Sequence, residues 1–177
     1  NINSRFNEKD GVPSADGKMF YVNRSGHPQN VTDNKNHDDI YYANLLSDGS
    51  WSKLENIGAP LNNGRSNYII SVSPDNNTLL IYSLYNFMGE SRKGAGISET
   101  HRQKDGTWSV PTQIIIENFY NNNNFGSYCT SPNGKVLIMA IEHENPYGDT
   151  DLCVSFRNQN GSFGEPVNMG PVLNTND

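Results

Sequence analysis

The chain has 177 residues, of which 34% are hydrophobic, 10% aromatic and only 18% charged, with 16 glycines and 9 prolines. That balance fits turn-rich β structure with an aromatic core and argues against a charged disordered tail, a coiled coil or a helical bundle rich in Glu and Lys. With 19 acidic against 13 basic side chains, a formal charge of −6 and a pI near 5.1, the overall field repels phosphate backbones and anionic lipid.

No apolar run approaches the roughly 18–20 residues of a transmembrane helix, and Asn1 to Asp10 lack the apolar stretch of a signal peptide. Asparagine is over-represented, with 27 copies, which favours turns. The triplets at Asn23, Asn30, Asn76 and Asn160 read as chance products of that composition rather than glycosylation sites.

The same ordered series of features occurs three times, about 55–59 residues apart. Each unit opens on a hairpin turn: Ser14-Ala15-Asp16-Gly17-Lys18, Ser73-Pro74-Asp75-Asn76-Asn77 and Ser131-Pro132-Asn133-Gly134-Lys135. In these turns Asp or Asn bonds its own backbone, and Gly or Asn accepts the positive φ of a tight reversal. An apolar run follows each turn, at Met19 to Val22, Leu79 to Tyr82 and Val136 to Met139, and its continuity predicts strands buried on both faces. A longer polar loop leads to a second strand at Asp39 to Ala43, Ala95 to Glu99 and Asp151 to Ser155. Another Gly turn then leads through an aromatic residue (Trp51, Trp108 or Phe163) into a more polar last strand. Units one and three close alike, Asn56-Ile57-Gly58-Ala59-Pro60-Leu61-Asn62 matching Asn168-Met169-Gly170-Pro171-Val172-Leu173-Asn174, whereas unit two reads Ile114-Ile115-Ile116-Glu117. Short strands near Val12, at Tyr68 to Val72 and at Ser127 to Thr130 bring each unit to four.

Four strands joined by local hairpins and repeated in tandem make a propeller blade. The predicted fold is all-β: three four-stranded antiparallel blades at about 5–62, 63–122 and 123–177, part of a roughly six-bladed ring. The turn, apolar strand, Asp-Ile-Tyr (Asp39-Ile40-Tyr41), Gly-x-Trp-Ser (Gly49-Ser50-Trp51-Ser52) and Asn-Thr (Asn174-Thr175) signatures together resemble the TolB-type, WD40-like (PD40) propeller repeat. The units are similar to those of Bacteroidota envelope proteins that join such a propeller to an OmpA-like domain. The resemblance implies a non-enzymatic protein-binding scaffold in the periplasm or at the outer membrane. Because Ile2-Asn3-Ser4 resembles Leu61-Asn62-Asn63, the chain is expected to start in the tail of a preceding blade. Its expected partners are therefore the remaining blades or a second copy, and an envelope protein, but not nucleic acid.

Alternation of chain direction puts all six short turns on one face and the long loops on the other, at about 25–38, 86–94 and 143–150, joined by inter-blade loops at 62–67 and 118–125. Long loops on a rigid scaffold are where binding usually sits. The candidate binding residues there are His27, Arg65, Phe87, Met88, Arg92, Phe119, Tyr120, Phe125, His143 and Tyr147, a mix of aromatic residues and Arg suited to hot spots. Phe119, Tyr120 and Phe125 fit a core role between blades equally well.

No cofactor is expected. Asp38, Asp39, Asp149 and Asp151 are the oxygen ligands a Ca²⁺ would use, but they lack any known calcium-loop spacing, and one Asp per unit is accounted for by backbone bonding at a strand start. Cys129 and Cys153 fall on the first and third strands of one unit, nearly 10 Å apart by strand spacing, and read as buried free thiols. No catalytic residue is assigned: Glu90, Glu142 and Glu144 form no evident acid pair. The rival reading is a glycan-binding or glycan-cleaving propeller.

Overall fold

The computed structural model describes residues 2–175 apart from 32, 33, 35, 87, 90, 124, 125 and 145, and describes the backbone but not the side chains of 91–95. Twelve strands form three sheets, each a four-stranded antiparallel meander in chain order. The first holds β1 (Asn7–Pro13), β2 (Met19–Ser25), β3 (Asp38–Asn44) and β4 (Glu55–Asn56). The second holds β5 (Tyr68–Val72), β6 (Thr78–Tyr85), β7 (Ser91–His101) and β8 (Thr112–Gln113). The third holds β9 (Ser127–Thr130), β10 (Val136–Ile141), β11 (Asp151–Phe156) and β12 (Val167–Asn168). These are the three blades expected from the repeat. The chain divides into two compact units, residues 1–113 with the first two sheets and residues 114–177 with the third.

The hairpins form because each turn satisfies itself. Ser14 Oγ accepts from Met19 N at 2.9 Å and donates to Asp16 Oδ1 at 2.6 Å, and that oxygen also accepts from Lys18 N at 3.0 Å. Ser131 and Asn133 repeat the arrangement with Val136 N and Lys135 N. The corner residue sits at φ +68° (Gly17), +57° (Asn76) and +66° (Gly134), the left-handed region that Gly and Asn tolerate best.

Within residues 1–113 the first sheet covers the second. Cross-strand pairing puts Val12, Tyr21 and Tyr42 on one face together with Asn23 and Ile40. Pairing in the second sheet aligns Ile69 with Ile81 and Val72 with Leu79. Tyr21 and Ile40 then pack with Ile69, Leu79, Ile81 and Tyr85, and with Leu61 from the connecting segment, in one buried cluster. Each such side chain contributes about 1.5–3 kcal/mol by leaving water. One polar stitch crosses this core: buried Asn23 accepts from Ile69 N at 2.9 Å and donates to Asp10 Oδ2 at 3.2 Å.

Three expectations are corrected. Burial on both faces holds for Tyr21 to Ser25 and Leu79 to Ile81. In β10 it alternates instead: Leu137, Met139 and Ile141 are buried and Ile138 is exposed, because one face of the third sheet is uncovered. Cys129 is accordingly exposed rather than buried, since it pairs with Ile138 on that open face, while Cys153 pairs with Met139 on the buried one. The two thiols are free and lie on either side of β10. Finally, the loop expected over 86–94 is shorter. The hairpin continues past a register shift, with Leu84 opposite Arg92 and Tyr85 opposite Ser91, which puts Arg92 in a strand. Gly96 permits this, because a Cβ there would fall 2.5 Å from Leu84 Cδ2.

Leu79→Ala is expected to destabilise the chain by about 2–5 kcal/mol, as a cavity in the shared core should. Equilibrium urea denaturation checks this.

Candidate functional site

At the loop end of the first sheet an aspartate and two asparagines form a clasp. The Asn62 side chain pairs with the Ile40 backbone in both directions, accepting from its N–H and donating to its carbonyl, each at 2.8 Å. The same amide donates to Asn56 Oδ1 at 2.8 Å, and that oxygen also accepts from Gly58 N at 2.8 Å. Asn56 in turn donates to Asp39 Oδ2 at 2.8 Å, which accepts from Val31 N at 2.9 Å and so holds the β2–β3 loop. The third sheet repeats the constellation: Asn174 on the Leu152 backbone, Asn168 between Asn174 and Gly170, and Asp151 accepting from Asn168 and from Tyr147 N and Gly148 N. An asparagine amide suits this task because it carries a donor and an acceptor in the geometry of a neighbouring strand.

Unit two lacks these asparagines, and its closing segment does something else. Residues 115–117 pair in parallel with Phe163, Phe163 N donating to Ile115 O at 2.8 Å and Glu117 N to Phe163 O at 2.9 Å. Glu117 also accepts from Asn158 and Ser162. The departure seen in the sequence is therefore a different tie with its own hydrogen bonds.

The loop-end carboxylates differ in electrostatics. Burial pushes Asp39 above its ordinary value of 3.8, against the hydrogen bonds from Asn56 and Val31. For Asp151 burial acts the same way, but the combined hydrogen bonds from Tyr147 N, Asn168 and Gly148 N prevail and leave it below 3.8. Buried Asp38 lies 3.0 Å from Lys9 Nζ. Asp149 is exposed. Among the described residues no group of three or more His, Cys, Asp and Glu side chains is placed to hold a metal.

A second cluster, not foreseen from the sequence, surrounds Arg24. Its guanidinium stacks over Phe6 at 5.1 Å and Tyr41 at 5.2 Å, pairs with Glu8 at 2.9 Å and donates to Ser4 Oγ at 2.7 Å. His27 lies edge-on to Phe6 and to Tyr41, half-buried, and burial together with the Arg24 charge lowers its pKa. The only hint in the sequence was an Arg continuing an apolar strand.

The other candidates fall at the loop ends of their own units. In residues 1–113, Arg65 and Met88 are exposed. Arg65 follows Asn63 in the connecting loop, which Asn67 and Tyr85 hold in place: Asn67 accepts from Asn63 N at 3.0 Å and donates to Tyr85 Oη at 2.8 Å, and Tyr85 donates to Leu61 O at 2.6 Å. In residues 114–177, Tyr120 and Tyr147 are exposed, and Phe119 and His143 are half-buried. Asn122 bonds both the backbone and the carboxylate of Glu142, which brings the loop of Tyr120 beside that of His143. Phe87, Phe125 and Glu90, and the side chain of Arg92, lie outside the described residues.

No protein-family model matches the chain, and no curated protein matches it. Among solved structures it is similar to TolB from Acinetobacter baumannii, with a TM-score of 0.56 and 16% identity over 92% of this chain and 32% of TolB. It is also similar to puromycin hydrolase, with a TM-score of 0.51 and 12% identity over 96% of this chain and 22% of the enzyme. The fold is thus that of TolB-type propeller blades, and the chain spans about a third of one neighbour and about a fifth of the other.

Two outcomes follow for the clasps. Asn62→Ala and Asn174→Ala each leave a backbone pair unmet and should cost about 1–3 kcal/mol, read by urea denaturation. In a carboxyl carbon NMR titration, Asp39 should protonate above pH 3.8 and Asp151 below it. Asp151 therefore contributes stability that is present above pH 3.8 and lost as pH falls through its folded value. Asp39 carries a cost that is relieved as pH falls through its own.

Proposed function

We propose that the chain is a non-enzymatic protein-interaction module of the bacterial cell envelope, in the periplasm or at the outer membrane. It docks a protein partner through the loop ends of its blades. The observation that carries this reading is the clasp. Asp39 with Asn56 and Asn62, and Asp151 with Asn168 and Asn174, hold loops in one conformation by bonds to their backbone. Val31 and Tyr147, whose backbone N–H groups bond the clasp aspartates, are thereby left with exposed side chains. Pre-ordered loops lose little entropy on binding. Exposed Met88, Tyr120 and Tyr147 supply apolar and amphipathic contact surface of the kind found at hot spots.

Carboxylate use also favours binding over hydrolysis. Among the described residues, Asp38 is paired with Lys9, Asp39 with Asn56, Asp151 with Asn168, Glu142 with Asn122 and Glu8 with Arg24. Each of these five is taken up by a structural bond, while Glu144 and Asp149 are exposed; glycoside cleavage requires an acid and a nucleophile or base placed together and open to substrate. The envelope location rests on the repeat resemblance.

Tyr147 allows a clean test, because its backbone N–H serves the clasp and its ring is exposed. A photo-crosslinking amino acid at position 147 should trap a protein in cells. Tyr147→Ala should weaken binding of that protein by about 1–2 kcal/mol while leaving the urea midpoint unchanged. An adduct to glycan alone would favour the sugar-binding alternative.

A further inference from the structure

One imidazole at the loop end of the first sheet has more partners than a single protonation state can satisfy. His27 Nδ1 accepts from Gln29 N at 3.2 Å and lies 3.0 Å from Tyr41 Oη. Tyr41 has one hydroxyl proton, which goes to Asn30 Oδ1 at 2.9 Å, because the Asn30 amide nitrogen is committed to Arg24 O and His37 O at 2.9 and 3.3 Å. A neutral His27 that keeps the Gln29 bond therefore carries its proton on Nε2 and leaves the Nδ1 lone pair to Gln29. A proton on Nδ1 reverses this: the ring donates to Tyr41 Oη, and Gln29 N–H is left facing another N–H. The surroundings are packed. Phe6 and Tyr41 meet His27 edge-on at ring distances of 4.7 and 5.6 Å, and buried Arg24 is stacked on both of those rings.

We propose that His27 is a proton-sensitive latch: neutral, it pins residues 27–31 of the β2–β3 loop beside Tyr41, and protonated, it lets go of Gln29 and loosens that stretch. The charges around the ring set the direction. Arg5 faces it from the segment before β1, Glu8 from β1 and Arg24 from β2, while β3 contributes Tyr41 and Asp39 and the loop itself His37. Burial and then Arg24 oppose a proton on His27. Glu8 favours one but is already paired with Arg24, and Arg5 opposes it again, so the latched imidazole titrates below its ordinary 6.5. An opened loop binds the proton more readily than a latched one. Latching is thus in full force above pH 6.5 and is lost as pH falls through the lower latched value. Asp39 acts at the other end of the stretch, where its carboxylate accepts from Val31 N. The inference stands whatever the loop ends dock, because it concerns loop order and not a partner.

Hydrogen–deuterium exchange of the full-length protein, read by mass spectrometry, measures both halves of the latch. Exchange at the imidazole Cε1–H across pH gives the His27 midpoint, and backbone exchange of residues 27–31, corrected for the intrinsic rate at each pH, gives loop order. His27 should titrate below 6.5. Protection of the Gln29 amide should fall by about threefold or more between about pH 7.5 and pH 5. His27→Gln, which leaves Asp39 and His37 in place, should abolish that pH dependence. A His27 midpoint at or above 6.5 would overturn the proposal. Gln29 protection that stays constant in the wild type would also overturn it, since the ring would then titrate without moving the loop. So would a pH dependence that survives in His27→Gln, by assigning the effect to Asp39 or His37.

Discussion

A chain that runs from the outer edge of one sheet to the inner strand of the next must cross several residues without ladder hydrogen bonds, and buried backbone groups left unpaired cost more than a short segment can recover. The asparagine clasp resolves this constraint. Asn62 substitutes for a missing strand beside Ile40, Asn56 locks Asn62, and Asp39 locks Asn56 while gathering the β2–β3 loop. Leu61, beside the clasp, is thereby pressed into the core shared by the first two sheets. Burial of the aliphatic core and satisfaction of the polar crossing are two sides of one arrangement, so loop order and blade packing are coupled.

The same motif placed in two surroundings separates local from global causes. Asp39 and Asp151 make homologous bonds, yet one carboxyl is shifted up and the other down, because burial wins in the first clasp and hydrogen bonding in the second. Leu61 and Leu173 each precede the clasp asparagine, yet one is core and the other exposed, because Leu61 packs with Ile69, Leu79 and Ile81 of the second sheet. Unit two shows a third solution: its Ile114-Ile115-Ile116-Glu117 segment gives up the asparagines and instead forms a parallel bridge with Phe163.

The likeness to propellers in a TolB and in a puromycin hydrolase shows that blades of this kind serve quite different whole proteins. The fold alone therefore assigns no function, and the proposed one rests on the loop ends. Here the loop ends carry exposed Met88, Tyr120 and Tyr147, the last on a clasped backbone that the Asp151 carboxylate holds. Such a surface is suited to recognition.

Strand positions, turn chemistry and the matching closures of units one and three were legible in the sequence. They depend on contacts within a few residues, such as Ser14 with Asp16 and Met19, and on side-chain period within one strand. The clasp residues were visible as a repeated pattern, but their task was not, because Asn62 meets Ile40 across 22 residues. The Arg24 cluster was hidden for the same reason, since Ser4, Phe6, Glu8 and Tyr41 converge on it only once the strands have paired. The extension of β7 was not legible because pairing resumes only after a register shift, with Leu84 opposite Arg92 and Tyr85 opposite Ser91. Exposure of Ile138 and Cys129 was beyond reach of the sequence: an apolar strand reads the same whether or not a neighbour covers it, and only the packed sheets decide which of its faces meets water.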